Sequence, residues 1–298
     1  MISKSSIKIS VCICTYKRAL LLKRLMGRIA QQVTNGIFEY DAIVIDNDKD
    51  RSAERIIHEL QEESYKSFYY SEPRNSIPLA RNLALSKADG DFIAFIDDDE
   101  FPPNEWLLNL YLSWKRYQVA GVLGPVLPYF EKNPPKWILR GELFKRPSYD
   151  TGTVLKWWQT RAGNALISKK IIESDKDIFN SNFRHSEDQE FFKRMIKKGH
   201  VFVWCNEAPV YEIQTENRFE LSYFLKRALL RGNVSFKLLE NRYSGIAKSV
   251  AAIILYFTIL PGLAFAGRHY YAKYLIKSCD HFGRIAAVFG IDFQKRLT

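Results

Sequence analysis

The sequence predicts an α/β domain with a mostly parallel central sheet, followed by a C-terminal helical region that is apolar enough to associate with a membrane. Strand-like apolar runs alternate with helical patterns over residues 7–96, which is typical of a parallel sheet covered on both faces. Residues 249–267 carry no charged side chain, and their length approaches what a bilayer core requires. We therefore expect one domain over 1–215 and a second region over 216–298.

Each element of the domain follows from a local pattern. Apolar runs of strand length predict strands at 7–14, 40–45, 67–70, 91–96, 119–127 and 165–168. Apolar residues at helical spacing predict helices at 19–32, 51–63, 78–88, 102–116 and 188–198, and a segment rich in Pro, Gly and aromatic residues predicts a long loop at 128–153. Because ligands bind beyond the carboxyl ends of parallel strands, we expect Thr15, Asp46 and Asp97 to lie together at one edge.

The composition excludes a disordered chain and leaves several classes of partner open. Hydrophobic residues make up 47% of the chain and charged residues 26%, which is enough apolar material for a core. The formal net charge of +11 fits nucleic acid, an anionic membrane surface or phosphorylated small molecules, and it also fits a Lys-rich proteome with no meaning for partners. No helix-turn-helix, zinc-finger or RNP pattern is present, so we expect no nucleic-acid partner.

The cysteines and the apolar stretch indicate where in the cell the protein is located. The four cysteines form no CxxC pair, and we expect them to pack in the core of a protein in a reducing cytosol. No apolar signal segment precedes the first strand, so we expect the main domain in the cytoplasm. The stretch 249–267 is flanked by Lys248 and Arg268 and interrupted at Pro261, which leaves open whether it spans, re-enters or lies on a membrane. A buried helix or an oligomer contact would give the same pattern.

Three consecutive carboxylates, Asp97–Asp99, follow the strand predicted at 91–96. Such carboxylates repel one another, and a divalent cation is a natural counter-charge. Oxygen ligands from Asp97 and Asp99 suit Mg²⁺ or Mn²⁺, which would also hold a diphosphate. A solvated acidic turn before the next helix is the alternative.

Several longer stretches occur in a fixed order over residues 7–200: ISVCICTYKR, AIVIDND, EPRNSIPLARNLALSKADGDFIAFIDDDE, TRAGNALIS and HSEDQEFFKRMIKKG. In this combination the chain resembles the family 2 glycosyltransferases, whose nucleotide-diphospho-sugar transferase domain has the GT-A fold. The later stretch VYEIQTENRFELSYFLKRALLRGN, with the apolar tail after it, resembles a bacterial subgroup that includes exopolysaccharide glucosyltransferases of the succinoglycan (ExoM-like) type. The QxxRW motif of processive synthases is absent, which implies transfer of a single sugar.

The resemblance implies an inverting displacement that moves a sugar from a nucleotide-diphosphate donor, by family analogy a UDP-sugar. The donor-binding residues we predict are Thr15, Arg18, Asp46, Asp48, Arg81, Asp97 and Asp98. Asp97 and Asp99 match metal-binding carboxylates for Mn²⁺ or Mg²⁺. Asp188 matches the general base, with Glu187 beside it as the second catalytic residue. From the residues alone, this acidic pair also suits a helix N-terminus capped by Ser186.

The polar loop before the strand at 165–168 is the predicted acceptor site. Trp157 and Trp158 suit stacking on a sugar ring, and Gly163 would let backbone approach the acceptor. With Asn164, these residues form the predicted acceptor-binding set. The alternative is that one tryptophan packs in the core.

Together these patterns predict a metal-dependent glycosyltransferase at the cytoplasmic face of the inner membrane. Its expected acceptor is a lipid-linked, lipopolysaccharide or exopolysaccharide glycan. The alternative functions are a non-catalytic scaffold of a glycan-assembly complex and a basic nucleic-acid-binding protein. The oligomeric state stays open.

Overall fold

A computed structural model describes residues 7–60, 65–172, 178–183, 185–239 and 241–293. The chain divides into two compact units, residues 1–127 with 146–213 and residues 128–145 with 214–298. This division differs from the predicted one mainly in the segment 128–145, which belongs to the second unit.

The elements are numbered in chain order. The strands are β1 (Ile7–Thr15), β2 (Phe38–Asp46), β3 (Lys66–Ser71), β4 (Phe92–Ile96), β5 (Glu100–Phe101), β6 (Gly121–Leu123), β7 (Val126–Phe130), β8 (Asn164–Ser168), β9 (Phe202–Trp204) and β10 (Val210–Gln214). The helices are α1 (Ala19–Ile29), α2 (Glu54–Glu59), α3 (Ile77–Lys87), α4 (Trp106–Tyr117), α5 (Lys136–Gly141), α6 (Glu187–Lys197), α7 (Leu221–Leu238), α8 (Arg242–Ala266) and α9 (Arg268–Val288).

Within the described residues, a seven-stranded sheet of order β3-β2-β1-β4-β8-β6-β9 forms the centre of the first unit. β1 pairs in parallel with β2 and β4, whereas β8 runs antiparallel to β4 and β6. The mostly parallel α/β sheet predicted from the sequence is therefore confirmed. A second sheet has the order β5-β10-β7, and its β5–β10 pair places Glu100 opposite Glu212.

Two apolar layers cover the central sheet because successive strand residues point to opposite faces. Ile9, Val11 and Ile13 of β1 enter one layer, together with the buried face of α1. Cys12 enters the other layer, where Phe191 and its neighbours on α6 cover the sheet. Burial on both faces explains why these strands read as nearly continuous apolar runs.

The strand predicted at 119–127 was wrong, because the chain there forms β6 and β7, which belong to different sheets. The break lies at Gly124 and Pro125. A Cβ at Gly124 would lie 2.2 Å from the carbonyl oxygen of Ala208, so this close backbone approach requires glycine. Proline has no N–H to continue a ladder, and the carbonyl of Pro125 accepts a hydrogen bond from the Val210 amide instead.

Other predicted bounds also shift. The predicted loop at 128–153 contains the end of β7 and helix α5. α2 is shorter than predicted, and residues 61–64 lie outside the described part of the chain. α4 begins at Trp106, after the proline pair that was expected inside the helix. Ser186 has a left-handed backbone with φ of 62° and makes no side-chain capping bond, so the predicted cap is wrong.

The second unit is built from α5, α7, α8 and α9. α7 and α9 approach closely, since a Cβ at Gly232 would lie 1.8 Å from the carbonyl oxygen of Asp280. A small core of Trp137, Ile138, Phe224 and Ala272 joins α5 to this pair. α8 and α9 meet at Gly267, whose φ of 137° ends the helix.

Candidate functional site

The carboxyl ends of β1, β2 and β4 form one edge of the sheet, as predicted. Thr15 lies opposite Asp46 in the parallel register of β1 and β2. The hydroxyl of Thr15 donates to Asp98 Oδ2 at 2.8 Å, which joins the end of β1 to the turn after β4. We call the carboxylates gathered here the acidic edge: Asp97, Asp98, Asp99, Glu100, Glu187, Asp188 and Glu212.

Asp46 and Asp48 hold the loop after β2. Asp46 is fully buried and accepts hydrogen bonds from the amides of Asp48 (3.0 Å) and Ala53 (2.7 Å) and from the Tyr69 hydroxyl (3.1 Å). The carboxylate of Asp48 is buried and lies 3.9 Å from Lys17 Nζ. Both predicted donor-binding residues therefore lie at the expected edge, and their carboxylates also fix the shape of its loop.

The acidic triplet has two buried members and one open member. Nη1 of Arg18 lies 2.9 Å from Asp98 Oδ1 and 3.2 Å from Asp99 Oδ2, so one guanidinium neutralises both. Burial raises the pKa of Asp98 to about 6, although Arg18 opposes the rise. The side chain of Asp97 is 49% exposed, which leaves it accessible to a ligand.

Arg81 links the triplet to α6. Its guanidinium lies 2.5 Å from Glu187 Oε1 and 3.3 Å from Asp97 Oδ1, and its side chain is 9% exposed. Burial alone would lower the pKa of Arg81, but the carboxylates of Glu187 and Asp97 outweigh it and raise that pKa. Burial raises the pKa of Glu187 to about 7 although Arg81 opposes the shift. Glu187 is thus committed to a buried ion pair rather than open to a substrate.

Asp188 lies beside the loop that leads into β8. Its Oδ2 accepts the amide of Ala162 at 3.2 Å, and its side chain is less buried than that of Glu187. The next residue, Gly163, lies against the acidic edge, because a Cβ there would be 2.9 Å from Asp97 Oδ2. One short loop therefore connects the predicted base to Asp97, one of the two predicted metal ligands.

Sequence reasoning missed three charged residues of this site. Glu100 Oε2 accepts the Asp97 amide at 3.1 Å, and Arg146 forms an ion pair with Glu212. Burial raises the pKa of Glu100 well above its usual range, and the Asp97 and Glu212 carboxylates add to the rise. Glu100 continues the run Asp97–Asp99 and was detectable from it. Arg146 and Glu212 carried no local signal.

The predicted acceptor residues separate into two kinds. Asn164 is buried, and its amide bonds the Trp106 indole (2.8 Å) and the carbonyls of Pro125 (3.0 Å) and Ala208 (2.8 Å). Its side chain therefore holds the chain at the break between β6 and β7. Trp158 is 54% exposed and meets Trp157 edge-on with ring centroids 5.7 Å apart.

A cavity of about 110 Å³ lies beside Trp158 in the first unit and is partly open to solvent. Its lining combines aromatic, cationic and amide side chains. The lining residues are Leu123, Gly124, Val126, Arg146, Pro147, Tyr149, Trp158, Gln159, Arg161, Asn164 and Trp204. Aromatic faces with a few polar groups are typical of sites for small polar ligands such as sugars.

Asp97 and Asp99 suit a hard divalent cation, because the ligand atoms that their side chains offer are carboxylate oxygens. Over the described ranges, no group of three or more His, Cys, Asp or Glu side chains is arranged to hold a metal by itself. Arg18 and Arg81 supply the counter-charge within the protein.

Comparison with known proteins decides the family. Residues 10–175, more than half of the chain, match the family model described as Glycosyl transferase family 2. The chain belongs to glycosyl transferase family 2. The family expected from the sequence motifs is therefore confirmed, and the chain is a glycosyltransferase.

Similar proteins cover most of this family 2 chain. The succinoglycan biosynthesis protein ExoM of Rhizobium meliloti (strain 1021) is 30% identical over 250 residues, which are 82% of this chain and 79% of that protein. ExoW of the same organism is 26% identical, with 84% of this chain and 83% of that protein covered. The poly(ribitol-phosphate) beta-glucosyltransferase of Bacillus spizizenii (strain ATCC 23059 / NRRL B-14472 / W23) is 23% identical over 83% of this chain and 37% of its own length.

Solved structures agree on the fold. Residues 1–349 of S. aureus TarS in complex with UDP-GlcNAc match with a TM-score of 0.56 and 15% identity, covering 95% of this chain and 92% of that one. GalNAc-T7 with UDP, GalNAc and Mn²⁺ matches with a TM-score of 0.53 and 11% identity, covering 76% and 48%. The GT-A fold expected from the motifs is thus confirmed.

Proposed function

We propose that this glycosyltransferase moves a single sugar, with inversion, from a UDP-sugar to a lipid-linked, lipopolysaccharide or exopolysaccharide glycan at the cytoplasmic membrane face. The observation that carries the proposal is the acidic edge, where Asp97 and Asp188 meet around one loop and Asp99 shares Arg18 with Asp98. The similarity to the succinoglycan biosynthesis proteins ExoM and ExoW supports an exopolysaccharide acceptor.

The nucleotide end of the donor would lie over β1 and β2. Thr15, Asp46 and Asp48 end these strands, and the loop after β2 is held by buried hydrogen bonds. Such a fixed loop loses little freedom when a nucleoside binds, which favours affinity. The known UDP and UDP-GlcNAc complexes of TarS support UDP as the nucleotide.

Asp97 and Asp99 would hold Mn²⁺ or Mg²⁺, with the diphosphate completing the ligand set. Such a cation, when bound, neutralises charge that develops on the leaving diphosphate. Arg18 and Arg81 contact Asp98, Asp99 and Asp97 and would position these carboxylates. The half-exposed Asp97 is the member of the triplet most open to a cation.

Asp188 would act as the general base. Its carboxylate takes the proton from an acceptor hydroxyl while that oxygen bonds to the anomeric carbon and the bond to the diphosphate breaks. The Ala162 amide orients Asp188 without neutralising it. Glu187 has a positioning role in this scheme, because its carboxylate is paired with Arg81 at the start of α6.

The acceptor would enter the cavity beside Trp158. The exposed indole offers a face for a sugar ring, and Arg146, Gln159 and Arg161 offer donors for hydroxyl or phosphate oxygens. The absence of a side chain at Gly163 lets this loop approach Asp97 closely, since a Cβ there would lie 2.9 Å from Asp97 Oδ2. The second unit would associate with the membrane through α8, which is long and apolar enough to cross a bilayer.

The test is donor turnover over a panel of UDP-, GDP- and dTDP-sugars with Mn²⁺, Mg²⁺ or EDTA. We expect one UDP-sugar to be turned over only with a divalent cation. Asp99→Ala should lose this turnover, while the control Asp89→Ala, which removes an exposed carboxylate paired with Lys8, should retain it. Turnover that persists in EDTA would contradict the metal assignment, and failure of every donor would contradict the proposal itself.

A further inference from the structure

Helix α8 turns an apolar stripe outward. The stripe consists of Val250, Ile254, Phe257 and Phe265, whose spacing places them on one face of the helix. Phe257 is 61% and Phe265 95% exposed. An apolar face this large on a monomeric soluble protein marks an interaction surface.

Helix α9 accompanies α8 along most of its length. The two helices turn back on each other at Gly267, and farther along, the rings of Tyr256 and Tyr274 lie 5.5 Å apart. Near the start of α8, Ser249 Oγ lies 3.2 Å from His281 Nδ1 and 3.3 Å from Arg284 Nη1. If α8 enters a bilayer, α9 must therefore enter it to the same depth.

The accompanying helix is too polar for the hydrocarbon core. α9 carries Lys273 and Lys277, both exposed, beside the middle of α8. It also carries Asp280, which pairs with Arg231 of α7 at 2.5 Å and so ties a further cation to the same depth. Charged side chains near the centre of a bilayer are costly. Crossing by the uncharged part of α8, residues 249–266, would therefore also bury the charges of α9.

The positive charge of α8 and α9 determines which membrane surface the two helices favour. Residues 242–288 contain six Lys or Arg residues and one acidic residue, Asp280. Basic groups beside an apolar helix face favour membranes that contain anionic lipids. The same excess of positive charge opposes association of α8 with a second copy of this chain.

We propose that α8 lies in the plane of one leaflet of an anionic membrane and does not cross it. The apolar stripe enters the acyl boundary, while α9 and α7 stay on the aqueous side with their charges at the headgroups. This inference rests on the membrane association proposed above and specifies its geometry and its lipid. The turn at Gly267 then stays on the same side of the membrane as the rest of the chain.

The first test is sedimentation of the full-length protein with vesicles of phosphatidylcholine, with and without phosphatidylglycerol. We expect binding to need phosphatidylglycerol and to weaken at high salt. Phe257→Ser and Phe265→Ser should each weaken binding roughly tenfold, because each removes one aromatic side chain from the leaflet. Leu112→Ser, which changes an exposed leucine of α4, should bind like wild type.

Absence of vesicle binding, or equal losses in Leu112→Ser, would overturn the inference. Self-association that Phe257→Ser abolishes, without vesicle binding, would assign the stripe to a second copy instead. UDP binding by the same preparations, measured without vesicles, reports on the donor site alone. It therefore separates failure of this inference from failure of the proposed function.

The second test distinguishes lying in one leaflet from crossing. Ala266→Cys places a thiol at the end of α8, and a membrane-impermeant polyethylene glycol maleimide is added outside the protein-bound vesicles. We expect one adduct more than in the parent protein, whose own cysteines provide the baseline. A thiol that reacts only after detergent is added would show a crossing helix and overturn the inference.

Discussion

The acidic edge of the first unit and the apolar stripe of the second depart from ordinary folding preferences in opposite directions. The edge buries carboxylates, which costs desolvation free energy, and the stripe exposes large apolar side chains to water. Neither arrangement is explained by stability of the isolated chain. Under the functions proposed above, each would become favourable when a partner binds, a cation with a diphosphate in one case and a lipid leaflet in the other. The comparison teaches that residues placed against the stability rules mark where ligands bind.

The largest expected effect is a loss of sugar transfer at the acidic edge without a loss of donor binding. Asp188→Asn removes the proposed base but keeps the side-chain shape, so transfer should fall by roughly 100- to 10,000-fold. UDP affinity should stay near that of wild type, because the amide still accepts from Ala162. The measurement is single-turnover transfer alongside calorimetric donor binding.

Glu190→Gln is the matched control for that change. It lies on the same helix turn, and its carboxylate pairs with Arg194 rather than with the edge. We expect near wild-type transfer from it. Substantial transfer by Asp188→Asn would remove Asp188 from the mechanism.

Substitutions at the buried ion pair of Arg81 measure how the acidic edge affects the free energy of unfolding. Arg81→Met leaves Glu187 and Asp97 without their shared cation, so the free energy of unfolding should fall by about 3 kcal/mol. The double variant Arg81→Met with Glu187→Met should lose less, because no uncompensated charge is left at Glu187. Urea unfolding of both variants provides the measurement.

Arg55→Met is the control for the ion pair. Arg55 pairs with Glu59 on the exposed face of α2, and its loss should change the unfolding free energy by about 0.5 kcal/mol or less. An effect of Arg81→Met no larger than this would mean that the edge is not under electrostatic strain.

The edge should also make stability depend on pH. The pKa values of Glu187 (about 7) and Asp98 (about 6) lie above the ordinary carboxyl range, so the folded state holds protons that the unfolded state has released. The stabilisation that these retained protons give to the folded state is therefore complete at acidic pH. It is lost as the pH rises through 6 to 7, by on the order of 2 kcal/mol. Unfolding in EDTA between pH 5 and 8 measures it. Glu187→Gln should flatten the slope, and stability that rises with pH would contradict this account.

The smallest expected effect on catalysis concerns the predicted acceptor residues, which should differ in what their loss changes. Trp158→Ala should raise the KM for the acceptor roughly tenfold and leave stability unchanged, because the indole is exposed. Asn164→Ala should instead lower the unfolding free energy by about 3 kcal/mol, since it leaves buried partners unsatisfied. Thermal unfolding and acceptor kinetics distinguish them. A stability loss in Trp158→Ala would place that indole in the core.

The parts of the fold that were predictable are those with local patterns. β1, β2 and β4 are continuous apolar runs that end in polar residues, and the rule for parallel sheets placed those ends together. The break at Gly124 and Pro125 was missed because its cause is the distant carbonyl of Ala208. A close approach between segments so far apart in the chain leaves no periodic signal.

The same distinction holds within the site. The run Asp97–Asp99 stands out in the sequence, and so does the pair at Asp188. Arg146 and Glu212 are 66 residues apart, and their pairing exists only in three dimensions. The different environments of Glu187 and Asp188 were likewise not predictable, because only burial against Arg81 distinguishes these two adjacent carboxylates.

The central claim is that the acidic edge is built for a divalent cation and a nucleoside diphosphate. Calorimetric titration of UDP into wild type and Asp99→Ala, with Mn²⁺ and then with EDTA, tests it most directly. We expect wild type to bind UDP tightly with Mn²⁺ and weakly in EDTA, and Asp99→Ala to bind it weakly in both. Equal affinity in all four titrations would contradict it and leave the buried carboxylates without a ligand to explain them.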